Sequence, residues 1–365
     1  MIGIYCTTIY HLMVAISLAQ NDFKNHEVIL FVSPHFFNKE KIVDNLSSGL
    51  GKKFFKEIVI LNDYFGSRRY TVERKIRFFF FYRKAINLCR KYLFKIFIFF
   101  PGNLIIASLF AKYISKTSFD CEFAFGDDGL ASYINHNEYT KLSRSQNLIS
   151  NLFNYYQYLR LYKTLYVMEP SLVVNNKKFI LKQIKHPNFS DLKLKKMLRK
   201  IFMTEIIPSC DILYLQQPFI YDSREFACFE DIQNKSIRAI CDICTDKKIY
   251  IKIHPRTPRN YVIPPNMIKV RNTGLFEAAL SSDINQTVLI TMFSTAAFTP
   301  FMFWGYTPTI VLLYHIANKS IVMSDNLNEF LKKFKLVYSQ HGGNIYEPQD
   351  WNQLTKYLKL LQKGD

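Results

Sequence analysis

No glycine-rich phosphate loop occurs anywhere in the 365 residues, neither GxGxxG nor GxxxxGK[ST], so a dinucleotide-dependent dehydrogenase or a phosphate-loop ATPase loses its usual support. Glycine is scarce, with 12 residues, and no internal repeat of fixed period is present, which excludes a collagen-like chain. Cysteine is too sparse for a disulfide-built domain: the seven residues are odd in number and scattered, which suits a reducing compartment. Cys241 and Cys244 share the spacing of a redox pair, but no second pair or nearby His completes a metal set, so buried thiols are the expectation. The start, Met1 to Tyr5, lacks the basic region that precedes a signal peptide's apolar core, so export is not expected.

Hydrophobic residues make up 49% and charged residues 21%, enough for sizeable cores, and the length suits two domains. Acidic residues are in deficit: Lys and Arg number 48 against 29 Asp and Glu, a formal charge of +19. That excess favours nucleic acid, anionic lipid or phosphorylated small molecules, and its sign does not choose among them. The 33 Phe and 23 Tyr must be buried or set against membrane. Residues 74–100 hold eight cations, including Arg74, Arg83 and Lys95, among many Phe and no acid. Such a segment can lie on anionic lipid, pack as a helix with its cations reaching water, or bind nucleic acid, the last being least favoured. Its longest uncharged apolar run, 96–100, is far short of the roughly 20 residues that cross hydrocarbon.

Along the chain, short apolar runs alternate with helical patterns. Strands are expected at 2–6, 27–33, 56–61 and 121–125, then at 212–215, 249–253, 267–270, 288–292 and 309–313. Helices are expected at 11–19, 105–113, 139–165, 229–245 and from 276. The fold class this predicts is α/β: two doubly wound, Rossmann-like domains facing across a cleft. The exchange falls between 166 and 208 and is drawn as an acceptor-side domain, 1–190, and a nucleotide-side domain, 191–365.

Polar clusters follow several of these strands. Phe125, Gly126, Asp127, Asp128 and Gly129 bring two carboxylates out at a sheet edge, where repulsion between them would suit one to act as a base. A plain turn and a metal site are the competing readings. Lys252, Ile253, His254, Pro255 and Arg256 deliver a His at a strand end, able to give a proton to a departing phosphate. Ser294 and Thr295 follow a further strand and can hold phosphate oxygens or simply cap a helix. Glu277, close behind Gly274, can accept from ribose hydroxyls or serve its own helix's first turn. Asp222, in the loop opened by Gln216 and Gln217, is a second candidate base. Thr7, Thr8 and His11 form the first strand-end loop and can position an acceptor hydroxyl, with Thr8 equally suited to capping. Taken together these point to transfer chemistry.

In this order and spacing the three motifs at 125–129, 252–255 and 293–295 resemble those of bacterial sialyltransferases of glycosyltransferase family 52, the lipooligosaccharide type. The resemblance implies a GT-B-like, inverting enzyme that needs no metal and no other cofactor. Its donor would be CMP-sialic acid and its acceptor a terminal sugar such as galactose on lipooligosaccharide or capsule. It implies that His254 assists departure of CMP, Glu277 contacts ribose, and Ser294 and Thr295 hold phosphate, with Pro255, Arg256 and Gly274 beside them. Asp127 or Asp128 would activate the acceptor, Asp127 being slightly preferred, with Asp222 left open. It further implies a cytoplasmic enzyme peripheral at the inner face of the inner membrane, able to dimerise, with 74–100 serving attachment or dimerisation. The alternatives are a Kdo transferase, a polymerising sialyltransferase, or a non-catalytic basic scaffold.

Overall fold

Thirteen short parallel strands organise the described residues, and the central ones are apolar runs of the kind that a sheet covered on both faces can bury. The computed structural model describes all residues except 34–38, 62–83, 85–86, 89, 102–103, 142–155, 187–191, 220–226, 255, 258–260, 272–273, 318–323 and 364–365. Asp222, Pro255 and residues 74–83, 85–86 and 89 of the basic aromatic segment lie outside the described residues. The chain divides into two units, Met1–Met203 and Thr204–Asp365.

In the first unit β1 (Ile2–Cys6), β2 (Val28–Val32), β3 (Glu57–Ile60), β4 (Ile96–Phe99), β5 (Glu122–Phe125), β6 (Tyr162–Val167) and β7 (Ile180–Gln183) form one sheet in the order 3-2-1-4-5-6-7. Helix α1 (Ile9–Ser17) follows β1, α2 (Lys39–Asn45) follows β2, α3 (Leu104–Ile114) follows β4 and α4 (Leu130–Ile134) follows β5. The direction of strand progression reverses between β1 and β4. Open α/β sheets place ligands just outside the carboxyl ends of the strands at such a point. The core here is aromatic: Tyr5 stacks on Phe99 at 4.7 Å, and Phe97 on Phe110 at 5.1 Å.

Two sequence expectations change in this unit. Residues 96–100, the end of the segment expected to form a helix or lie on lipid, are the central strand β4 and its exit, with Phe97, Ile98, Phe99 and Phe100 fully buried. An uninterrupted apolar run is what a strand covered on both faces requires, and the resulting edge is not available to lipid. Likewise the end of the stretch expected to be helical, 162–165, is the start of strand β6 (Tyr162–Val167), paired in parallel with β5.

The boundary also lies beyond 190. Helix α5 (Leu192–Phe202) belongs to the first unit, where Asn45 Nδ2 at the end of α2 donates to the carbonyls of Lys200 and Ile201. Its apolar stripe, Leu194, Leu198, Ile201 and Phe202, is buried, while Lys193, Lys196 and Lys200 stay exposed.

In the second unit β8 (Ile212–Leu215), β9 (Ile249–Lys252), β10 (Ile268–Lys269), β11 (Val288–Thr291), β12 (Thr309–Leu312) and β13 (Ile345–Tyr346) order themselves, counted within the unit, as 3-2-1-4-5-6. The reversal falls between β8 and β11. Helices α6 (Ala227–Ile243), α7 (Phe276–Ala279), α8 (Thr299–Trp304), α9 (Asp325–Gln340) and α10 (Trp351–Lys363) complete it. Cys241 and Cys244 are buried free thiols in its core, and burial pushes Cys244 up to about 11. No helix among the described residues is long and apolar enough to cross a membrane.

Candidate active site

The carboxyl ends of β1, β4 and β5, neighbours in the first sheet, bring together residues that are far apart in sequence. Thr8 caps α1, its Oγ1 accepting from His11 N at 3.2 Å, which turns His11 inward on the first helical turn. The imidazole, 1% exposed, stacks on Phe100 at 4.4 Å with the planes 15° apart. Its Nδ1 accepts from Thr7 N at 3.3 Å, so in the neutral ring Nε2 carries the proton and donates to Asp128 Oδ1 at 2.6 Å.

The turn after β5 demands its two glycines for separate reasons. A Cβ on Gly126 would stand 2.6 Å from the ring of Phe100, the same ring that supports His11. Gly129 takes φ 73° and ψ −146°, which side chains disfavour. Between them the two carboxylates point to different environments.

Asp127 is 0% exposed and saturated: Oδ1 accepts from Gly129 N at 2.8 Å and Tyr10 OH at 3.3 Å, Oδ2 from Tyr133 OH at 2.7 Å and Met168 N at 3.1 Å. Burial pushes its carboxyl up to about 6, against the pull of those donors. The sequence reading slightly preferred Asp127 as the base; the structure places that carboxyl in the interior. With four hydrogen bonds accepted and no exposure, it ties the turn after β5 to α1, α4 and the residue that follows β6.

Asp128 differs. Its side chain is 30% exposed, one oxygen is held by His11, and its backbone N–H donates to Ser132 Oγ at 2.7 Å. This is an accessible carboxylate oriented by a histidine, at the sheet edge where strand order reverses.

The second unit has a corresponding cluster at the ends of β9, β8 and β11. His254 is half-buried, and its Nδ1 accepts from Arg256 N at 3.1 Å, which leaves Nε2 as the protonated nitrogen of the neutral ring. Ser294 caps the turn of 3-10 helix Thr295–Ala297, its Oγ accepting from Ala296 N at 3.3 Å. Ser294 and Thr295 are half-buried and Arg256 is exposed. Glu277 is 6% exposed in α7, and burial raises its carboxyl, countered by nearby Lys252. Burial in turn lowers Lys252, whose Nζ sits 5.3 Å over the ring of Phe276. Gly274 is half-buried in the bend before α7.

The sequence reading passed over the groups that organise both clusters. Phe100 and Tyr133 carried no signal, being two aromatics among 56 Phe and Tyr. Gln216 and Gln217 were noted only as the opening of the Asp222 loop, yet Gln216 Oε1 accepts from His254 N at 3.1 Å and Thr257 Oγ1 at 2.7 Å. Two consecutive amides at the mouth of a buried strand were the available signal. Among the described residues no group of three or more His, Cys, Asp or Glu is placed to hold a metal ion.

Similarity to known proteins agrees with this arrangement at the level of fold. The crystal structure of LpCGTa in complex with UDP is similar with a TM-score of 0.52 and 9% identity, over 99% of this chain and 90% of that one. That of Arabidopsis thaliana UGT89C1 complexed with UDP is similar with a TM-score of 0.50 and 11% identity, over 100% and 90%. The chain thus has two Rossmann-like α/β domains of the GT-B-like kind. Among curated proteins none matches. A family model does match, over residues 4–298: that of alpha-2,8-polysialyltransferase. This is the polymerising type that the sequence reading held as an alternative, in place of the family 52 lipooligosaccharide type that it resembled first. The chain is a glycosyltransferase, and it belongs to the alpha-2,8-polysialyltransferase family.

Proposed function

We propose that the protein transfers sialic acid from CMP-sialic acid, with inversion and without a metal, to a hydroxyl of a sialic acid already at the end of a glycan. The observation that carries this reading is the Asp128–His11 pair, a partly exposed carboxylate held at 2.6 Å beside the reversal point of a chain in this family. Asp128 takes the proton of the attacking hydroxyl as it bonds to the anomeric carbon. His11 donates a hydrogen bond to that carboxylate and keeps it aimed. As the bond from that carbon to phosphate breaks, His254 Nε2 gives its proton or a hydrogen bond to the departing CMP. Ser294 and Thr295 supply hydroxyls to the phosphate, and Glu277 accepts from ribose. Thr7 and Thr8 belong to the acceptor side. Asp222 is set second to Asp128, because Asp128 already has its orienting partner.

The family's printed name supports a sialic acid acceptor over a terminal galactose, and the net charge of +19 suits both an anionic donor and an anionic product. The same charge supports peripheral contact with an anionic membrane surface. The deciding experiment offers the protein CMP-sialic acid, CMP-Kdo and a UDP-sugar with a sialic-acid-terminated and a galactose-terminated primer, with and without EDTA. Products are read by mass spectrometry. Successive sialic acid additions to the first primer, undiminished by EDTA, are expected. Transfer only from the UDP-sugar or CMP-Kdo would overturn the donor assignment, and transfer only to galactose would overturn the acceptor.

A further inference from the structure

The loop that leaves β8 reaches sideways to both of its neighbours. On one side Gln216 Oε1 accepts from the backbone N–H of His254 at 3.1 Å and from Thr257 Oγ1 at 2.7 Å, both beyond β9. On the other, Gln217 Oε1 accepts from Phe293 N at 3.1 Å, beyond β11. Thr291 Oγ1 donates to Leu215 O at 3.0 Å and accepts from Ser294 N at 3.3 Å, which extends the same tie to the residue offered to phosphate.

The orientation of the Gln216 amide is fixed: Nε2 donates to Gln217 O at 2.8 Å, and flipping the group would set a donor against the N–H of His254 and an acceptor against that carbonyl. The peptide of Gln217 is itself gripped by Gln233 of α6, which accepts from its N–H at 2.8 Å and donates to its carbonyl at 3.0 Å. Gln216 is 4% exposed and Gln233 0%, so these bonds sit away from water, where polar groups are costly to leave unpaired. Apolar packing alone would have filled this space without amides. What the amides add is a fixed spacing between the His254 loop and the Ser294 loop.

We infer that Gln216 and Gln217 are positioning residues for catalysis: a clamp that sets His254 at a fixed separation from the phosphate-holding hydroxyls before the donor arrives. This rests on the reading of His254 as the group that assists departure of the phosphate. Catalytic groups held in advance spare the reaction the cost of ordering them, and a misplacement near 1 Å is enough to cost on the order of 10²-fold in rate. Gln216 does this through the backbone of His254 and so touches no reacting atom.

The experiment compares Q216M, Q216E and Q217M with wild type and H254A, reading kcat, CMP affinity and the pH–rate profile, with thermal melting as the check on folding. Methionine keeps the length of the side chain and removes every hydrogen bond. For Q216M and Q217M, kcat is expected to fall by roughly 10- to 100-fold while CMP affinity stays within about twofold. Q216E retains both accepted bonds but sets its second oxygen against Gln217 O, so it is expected to recover only part of that loss. Its carboxylate also favours the protonated imidazole, so the alkaline limb of the profile moves to higher pH, with the cations of that loop, Lys252 and Arg256, unchanged. If Q216M does not fold, Q216E and Q217M carry the test. A wild-type kcat in folded Q216M or Q217M, or a Q216E profile that superimposes on wild type, overturns the clamp while H254A stays inactive. Near-normal turnover in H254A would instead remove the reading on which it rests.

Discussion

Replacing each of the two adjacent carboxylates by its amide separates structure from chemistry. In D127N, an amide nitrogen takes the place of an oxygen that accepts two donors. Whichever way it turns, either Gly129 N or Met168 N loses its acceptor, along with one tyrosine hydroxyl. The hydroxyl can rotate but the backbone N–H cannot, and a buried unsatisfied group costs about 1–3 kcal/mol. Opposing this, wild type carries a carboxyl raised from 3.8 to about 6 by burial, so the native state holds that proton more tightly than the unfolded chain. Its contribution to stability is fully present below the unfolded value and is lost as pH rises through about 6, a swing of roughly 2 kcal/mol between about pH 4 and 7. D127N has no such titration. Its deficit against wild type is therefore expected to be largest near pH 4 and to shrink by that amount towards pH 7, as read by urea melts across the range. D128N should behave oppositely: the amide oxygen still accepts from His11, so stability moves by less than about 1 kcal/mol, while turnover falls by roughly 10²–10⁴-fold. A D127N protein with unchanged melts and no turnover, beside an active D128N, would refute the assignment of the two roles.

Further outcomes follow from the same geometry. G126A puts a methyl 2.6 Å from the Phe100 ring, so that ring and the His11 stacked on it must move; a loss of about 1–3 kcal/mol in melts is expected, with turnover reduced further than the melt alone explains. H11A leaves Asp128 without its holder, and kcat should fall by roughly tenfold or more at an unchanged fold, as checked by circular dichroism. Cys241 and Cys244 lie in the core with thiols raised by burial. They should resist thiol reagents until the protein unfolds, and C241A should retain turnover at a cost of about 1 kcal/mol.

Periodicity read nine of the thirteen strands because each is a short apolar run bounded by polar turns. Strand β4 was read instead as the end of a segment that lies on lipid, packs as a helix or binds nucleic acid, since cations crowd its approach and a run buried on both faces looks the same whichever apolar medium covers it. Strand β6 was taken for helix because Tyr and Leu carry no clean period at 162–165. The candidate site was legible as a set of strand-end residues: His11, Asp127, Asp128, His254, Ser294 and Thr295 were all named, and each lies beyond the carboxyl end of a parallel strand.

What the amino-acid order settled alone was local. It told where the apolar runs stop, and which polar groups therefore emerge at a sheet edge, because alternation and turn chemistry act over a few neighbouring residues. Only the tertiary structure distinguished Asp127 from Asp128, since burial and hydrogen-bond saturation depend on Tyr133 of the following helix and on Tyr10 and Met168, which β1 and β6 bring up from elsewhere in the chain. Two identical side chains in adjacent positions differ in nothing but their surroundings, and parallel strand order is what assembles those surroundings.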